Sequence, residues 1–169
     1  HHLFQEFLSM QLQLSEPEQM KSLHEAAGRW FERNGFEQEA LEHYLSSGHY
    51  ERALRLLERM LPLMPNYEWT VLHRWLNRIP DSELFNKPTF FLMNIASLYL
   101  SGHIFEATEK YWWVIDKLEK HPNLLSQKDK QHYGAGLDFL VAFRSFLEKD
   151  FESFIEYAKR YLEQDPDGG

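Results

Sequence analysis

Nine histidines in a chain of 169 residues are the first feature that could do chemistry. A zinc-protease helix needs His-Glu-x-x-His, which puts two imidazoles one turn apart on one face with the carboxylate as base. His24-Glu25 begins that pattern, but the position four after His24 is Gly28, so a metal would lack its second ligand. His24 also falls on an apolar stripe, where a hydrogen-bonded core imidazole is the expectation. His49 and His103 occupy matching turn positions and are expected to bond helix ends or face water. The carboxylate pairs Glu37/Glu39 and Glu148/Asp150 lie in charged helical segments and read as solvated faces. There is no cysteine nucleophile, no G-x-S-x-G elbow and no G-x-x-x-x-G-K-[ST] loop to cradle phosphates. The expectation is a segment with no catalytic residue, no metal site and no cofactor of its own.

Two groups could instead bind. Tyr111-Trp112-Trp113 is the densest aromatic run. At about 100° per residue the three cannot share one face of a helix. Tyr111 belongs to the core stripe, which leaves Trp112 and Trp113 to be buried on other sides or to serve as a sugar- or partner-binding platform. Arg52, Arg55 and Arg59, with Arg29 on an earlier helix, form a basic edge. Solvation explains that edge, or docking to an acidic neighbouring domain.

Net charge narrows the partners. The chain carries 26 acids against 18 Lys and Arg, for a net charge of −8, and its pI is near 5.6. An acidic surface repels phosphate backbones, and no basic run offsets this, so direct contact with nucleic acid is not expected. The most apolar stretch, PTFFLMNIASLYL, is interrupted by Asn94 and Ser97 and is shorter than the roughly 20 residues that cross a bilayer. HHLFQEFL lacks the basic start and small-residue cleavage site of a secretory signal. Zero cysteine fits a reducing compartment, and the expected location is the cytoplasm. A chain of this length can bury roughly 70% of its unfolded surface without staples.

The elements that must position these groups are all helical by periodicity. Leu3, Phe4, Phe7 and Leu8 trace a first helix. Ser15-Glu16-Pro17-Glu18 stops it and starts another, with Ser15 as cap, Glu18 closing a capping box and Pro17 in the first turn. Met20, Leu23, His24, Ala27, Trp30 and Phe31 form the next stripe, ended by Asn34-Gly35. Further helices carry Ala40, Leu41 and Tyr44; Tyr50 to Leu61; Trp69 to Ile79; Phe91 to Tyr99; and Ile104 to Leu118. A polar loop around His121 precedes a long helix near Gln127 to Lys149, and Phe151 to Leu162 close the pattern. Gly134-Ala135-Gly136 is costly inside a helix, at roughly 1 kcal/mol per glycine. Either the helix breaks near Tyr133 or a neighbour packs so closely that side chains are excluded; close packing is the favoured reading.

One corner is written twice. GHYERA places Gly48, Tyr50 and Ala53 where GHIFEA places Gly102, Ile104 and Ala107. The glycine permits a tight turn, the large apolar residue covers the seam, and the alanine lets two helices approach. KDFESF is a looser copy, and Gly35 with Ala40 a fourth. The pattern resembles the tetratricopeptide repeat, a helix-turn-helix of about 34 residues. Gly48 to Gly102 is too long for one unit, so an extra helix, about Asn66 to Ile79, is inserted. The expected fold is all-α, with antiparallel helical hairpins stacked as a TPR-like right-handed array.

An ordered set of motifs carries a second resemblance. They are His2, Leu3, Phe4, Phe7 and Leu8; Leu23, His24, Ala27, Trp30 and Phe31; Ala40 and His43; Gly48, Tyr50 and Ala53; and Trp75, Leu76, Ile79, Pro80 and Pro88. Together they resemble the large ATP-dependent bacterial transcription activators of the MalT type, over roughly residues 1 to 107. The resemblance implies residues 1–14 as the last helix of a winged-helix module, 15–87 as a helical linker, and 88–169 as TPR-like hairpins. It also implies a regulatory segment that binds a small-molecule inducer or protein effector and relays occupancy to a nucleotide-binding domain and a LuxR-type DNA-binding domain outside the chain. The rival reading is a free-standing TPR-like adaptor whose groove binds a peptide; a helical hydrolase is the weakest.

Overall fold

The computed structural model describes residues 16–63 and 69–164. Among them the chain is all-α, with nine α-helices, one short 3-10 turn and no strand. The expected 1–14 helix and the Ser15 cap lie outside the described residues. The chain divides into two compact units, residues 1–67 and 68–169. The helices between 69 and 84 pack with the helices C-terminal to them.

The first unit holds α1 (Pro17–Arg33), α2 (Glu37–Ser47) and α3 (Tyr50–Met60). Pro17 opens α1, where its missing N–H and fixed φ do no harm. Consecutive helices pack as hairpins. The core is Ala40, Leu41, Tyr44, Ala53, Leu56 and Leu57. The α1 stripe is only partly buried. Leu23 and Trp30 remain 59% and 56% exposed, and Trp30 packs on Phe31 and Phe36 at the end of α1 instead of entering a core. What α1 does bury is Gly28, where the Tyr44 ring lies against the backbone.

The second unit comprises α4 (Trp69–Leu76), α5 (Asp81–Leu84), α6 (Pro88–Leu100), α7 (Ile104–Lys120), α8 (Gln127–Leu147) and α9 (Phe151–Gln164). α6 is its centre, packing against α4, α5, α7 and α8. That explains why PTFFLMNIASLYL is apolar all round: a helix surrounded by others has no solvent face to keep polar. At the heart of the unit four rings interlock. Phe91 stacks on Trp113 with centroids 5.5 Å apart, Phe85 stacks on Tyr133 at 5.6 Å, and the cross pairs meet edge to face. Tyr133 is fully buried and donates its hydroxyl to the Phe85 carbonyl at 3.0 Å. Burial drives its pKa far above the ordinary tyrosine value, so it remains a donor.

Gly134-Ala135-Gly136 does not break α8. A Cβ at Gly136 would overlap Leu92 of α6, so the missing side chain is what lets the two helices approach. The N-cap is Ser126, whose hydroxyl accepts from the Asp129 amide at 3.1 Å.

The repeated corner is a shared hydrogen-bond device. Gly35, Gly48 and Gly102 adopt φ of 78°, 75° and 80°, and Lys149 adopts 62° in the looser copy. At each, the residue after it donates to the carbonyl five positions back: Phe36 to Phe31, His49 to Tyr44, His103 to Leu98 and Asp150 to Ser145, all within 3.0 Å. This is the Schellman closure, which satisfies carbonyls at a helix end. Ala40, Ala53 and Ala107, five residues past each glycine, are all fully buried. The apolar residue between them varies: Tyr50 is half-buried, whereas Ile104 is 52% exposed and does not cover its seam as expected.

Lys149 is the one non-glycine with positive φ among the described residues, a conformation that crowds any Cβ. Lys149→Gly is expected to stabilise the second unit by about 1 kcal/mol. A rise in the urea midpoint with unchanged slope would show it; an unchanged midpoint would mean the corner tolerates the side chain.

Candidate functional site

The predicted binding residues do not converge. Trp112 is 60% exposed and meets Tyr111 edge to face at 5.3 Å. Trp113 points the other way, into the ring cluster, with Lys117 over it at 5.4 Å. The two indoles therefore make no common platform.

The basic edge is engaged by its own unit. Arg59 pairs with Glu32 at 3.1 Å and with Glu37 at 3.4 Å, Arg55 with Glu51 at 3.3 Å, and Arg52 lies 5.6 Å over the Tyr44 ring. Arg29 pairs with Glu25. Tyr44 donates to Glu32 at 2.7 Å, so Glu32, Tyr44 and Arg59 tie α1, α2 and α3 together. Partial burial pushes the Glu32 pKa up, but the Tyr44 hydroxyl and the Arg59 and Arg52 guanidinium groups outweigh it and hold it below the usual value. A depressed folded pKa stabilises the fold above the unfolded value, about 4.3 for Glu, and this is lost as pH falls through the folded value. The urea midpoint of the first unit should therefore fall from pH 6 to pH 3 less steeply in Glu32→Gln than in wild type. Equal slopes would show that Glu32 does not carry this dependence.

Five of the histidines, His24, His43, His49, His73 and His103, are partnered in pairs and turns. His24 and His43 meet through Nδ1 at 2.8 Å, and the His43 ring stacks on Phe31. His49 bonds the Ser47 hydroxyl at 3.0 Å. His73 approaches the Ser97 hydroxyl at 3.3 Å and stacks on His103. Among the described residues no group of three or more His, Asp or Glu could hold a metal, and no helix is long and apolar enough to cross a membrane.

The second unit has a groove that no sequence motif announced as a site. It runs between α6, α8 and α9, with Trp69 of α4 also in its lining, and has a volume of about 500 Å³. Its floor is apolar: Leu92, Met93 and Ala96 from α6, and Ala135, Gly136 and Leu140 from α8. Phe139 and Tyr161 meet across α8 and α9, with ring centroids 5.5 Å apart. One rim is polar, with Lys128, Gln131 and His132 from the start of α8 and Gln164 from the end of α9. The α9 wall is held by polar contacts more than by burial, because none of its residues is buried. Asp138, itself buried, accepts from Gln164 at 2.7 Å and pairs with Arg160 at 3.1 Å. The legible signal for this groove was the glycine pair, which marks where α8 approaches α6. Which helix would form the second wall was not legible.

The volume lies in the range of pockets that take small organic ligands. The groove offers an apolar trough with hydrogen-bond donors on one side.

Over 83 residues, 48% of its length, the chain is 31% identical to the serine/threonine-protein kinase PknK of Mycobacterium tuberculosis and to the protein of that name in Mycobacterium bovis. It spans only 8% of the length of these curated relatives. No family model matches the chain, and no solved structure matches it.

Proposed function

We propose that this chain is a regulatory segment of a larger signalling protein, and that its second unit binds an effector in the α6/α8/α9 groove. The observation that carries this reading is the groove itself: a trough of about 500 Å³ with an apolar floor and a polar rim, in an all-helical unit. Similarity to a short stretch of a much longer serine/threonine-protein kinase supports a modular, regulatory role. Ordered motifs of the MalT type support a parent that is an ATP-dependent transcription regulator, with nucleotide and DNA bound elsewhere. In this reading the segment acts without catalysis or cofactor, in the cytoplasm. It passes on occupancy through differential affinity for the resting and active states of the parent.

The test is thermal unfolding of the chain against sugars, peptides and small organic acids. A ligand present at a hundred times its Kd adds about 2.7 kcal/mol, which raises Tm by roughly 5–10 °C in a chain of this size. A specific shift of that order, abolished when the groove is filled by Ala96→Phe, is the expected result. No shift with any class, or a shift that Ala96→Phe leaves intact, would overturn it.

A further inference from the structure

Lys128 and His132 stand four residues apart on α8, one turn, so both reach the same rim of the groove, with Gln131 beside them. Neither Lys128 nor His132 has a hydrogen-bond or ion-pair partner among the described residues. That contrasts with Arg29, Arg52, Arg55 and Arg59 of the first unit, each of which has an acid or a ring against it. No Asp or Glu lines the groove among the described residues, although the chain carries 26 acids. Asp138, which accepts from the lining residue Gln164, is also paired with Arg160. Asp129, next to Lys128 in sequence, is bound to the Ser126 cap. Among the described residues the rim thus carries a lysine ammonium with no carboxylate bonded to it, in a protein whose net charge is −8.

We infer that the groove takes a small amphipathic carboxylic acid, whose apolar body lies on Leu92, Met93 and Ala96 and whose carboxylate faces Lys128 and His132. This rests on the groove being the effector site and names the chemical class of that effector. The apolar body covers the part of Met93, Ala96 and Phe139 that is still exposed. The carboxylate gives the exposed lysine ammonium an anionic acceptor in place of water, and charge-assisted bonds of this kind are stronger than neutral ones. A neutral ligand of the same shape would leave the ammonium unpaired. A cationic one would be repelled.

Matched probes test this: decanoate and decanol below their aggregation concentrations, titrated by calorimetry into the whole chain. The variants are Lys128→Glu, at an exposed position where folding is safe, and Ala96→Phe, which fills the trough. Decanoate should bind at least about tenfold tighter than decanol, the difference expected of one charge-assisted bond. Lys128→Glu should remove that difference and leave decanol unchanged, and Ala96→Phe should weaken both. If the two probes bind equally and Ala96→Phe still abolishes both, the groove is a site but not one for acids; the inference fails while the functional reading stands. If decanoate binds more tightly but Lys128→Glu has no effect, the acid is held elsewhere and the inference fails. If Ala96→Phe, shown folded by circular dichroism, changes neither probe, both the inference and the groove as effector site fail.

Discussion

Phe91→Ala is expected to destabilise the second unit by about 3–5 kcal/mol, the range for truncating a buried aromatic residue. Phe91 has no solvent exposure and sits at the crossing of the ring cluster, stacked on Trp113 and edge-on to Tyr133. Its loss opens a cavity between α6, α7 and α8. The walls cannot close it easily, because Tyr133 is anchored to the Phe85 carbonyl and Phe85 in turn packs on both Trp113 and Tyr133. A loss of this size is a large part of the roughly 5–15 kcal/mol that holds a typical domain together. Urea unfolding followed by tryptophan fluorescence reads both consequences: a lower midpoint, and an altered native emission because Trp113 loses its stacking partner. A change below about 1 kcal/mol would mean the cluster collapses around the gap, as plastic cores do. The effect reaches the candidate site, because Leu92 and Met93 of the same helix form the groove floor.

The second large effect is expected at Gly28. Alanine normally favours a helix interior by about 1 kcal/mol over glycine, so propensity alone predicts that Gly28→Ala stabilises α1. The packing predicts the reverse. A Cβ there would lie 2.8 and 2.9 Å from two carbons of the Tyr44 ring. That ring is fully buried, its hydroxyl is held by Glu32, and Arg52 covers one side, so it cannot swing away. Overpacking costs about 1–3 kcal/mol, and the net expectation is a loss of about 2 kcal/mol once the propensity gain is set against its upper end. Tyr44→Leu alone should also destabilise, but combined with Gly28→Ala it should cost less than the sum. A double-mutant cycle measures that coupling directly. A stabilised Gly28→Ala would show that α1 shifts away from α2 at little cost.

Gly28 also shows where reading the sequence stops. LHEAAGRW has the apolar spacing of a helix, and the helix is there. Nothing local says that the glycine, not Leu23 or Trp30, is the point of closest approach to α2. That depends on the rotation of α1 against a partner that begins at Glu37. A helix was expected between Gly48 and Gly102 at about Asn66 to Ile79, and α4 (Trp69–Leu76) lies within that range. Its assignment to the second unit was not legible, because Pro80 and Pro88 punctuate the chain locally while α4 packs on α6 across them. For the candidate site, Gly134 and Gly136 announced a close approach, but not that Leu92 would fill it or that α9 would supply the facing wall. The aromatic and arginine clusters drew attention by composition, and three-dimensional packing turned most of them inward or paired them.

The sequence by itself determined the helices and their corners. Both are local: an apolar residue every three or four positions makes a helix wall, and a residue that accepts positive φ closes its end, so the information lies within a few residues of where it acts. Lys149 fits this, since the corner held even without glycine because its neighbours still make the closing hydrogen bonds. The tertiary structure alone decided which faces were buried, which charges were paired and where the groove opened. Those depend on pairs such as Glu32 with Arg59, Gly136 with Leu92 and Asp138 with Arg160, which lie 22 to 44 positions apart in sequence and meet only once helix rotations and stacking order are set.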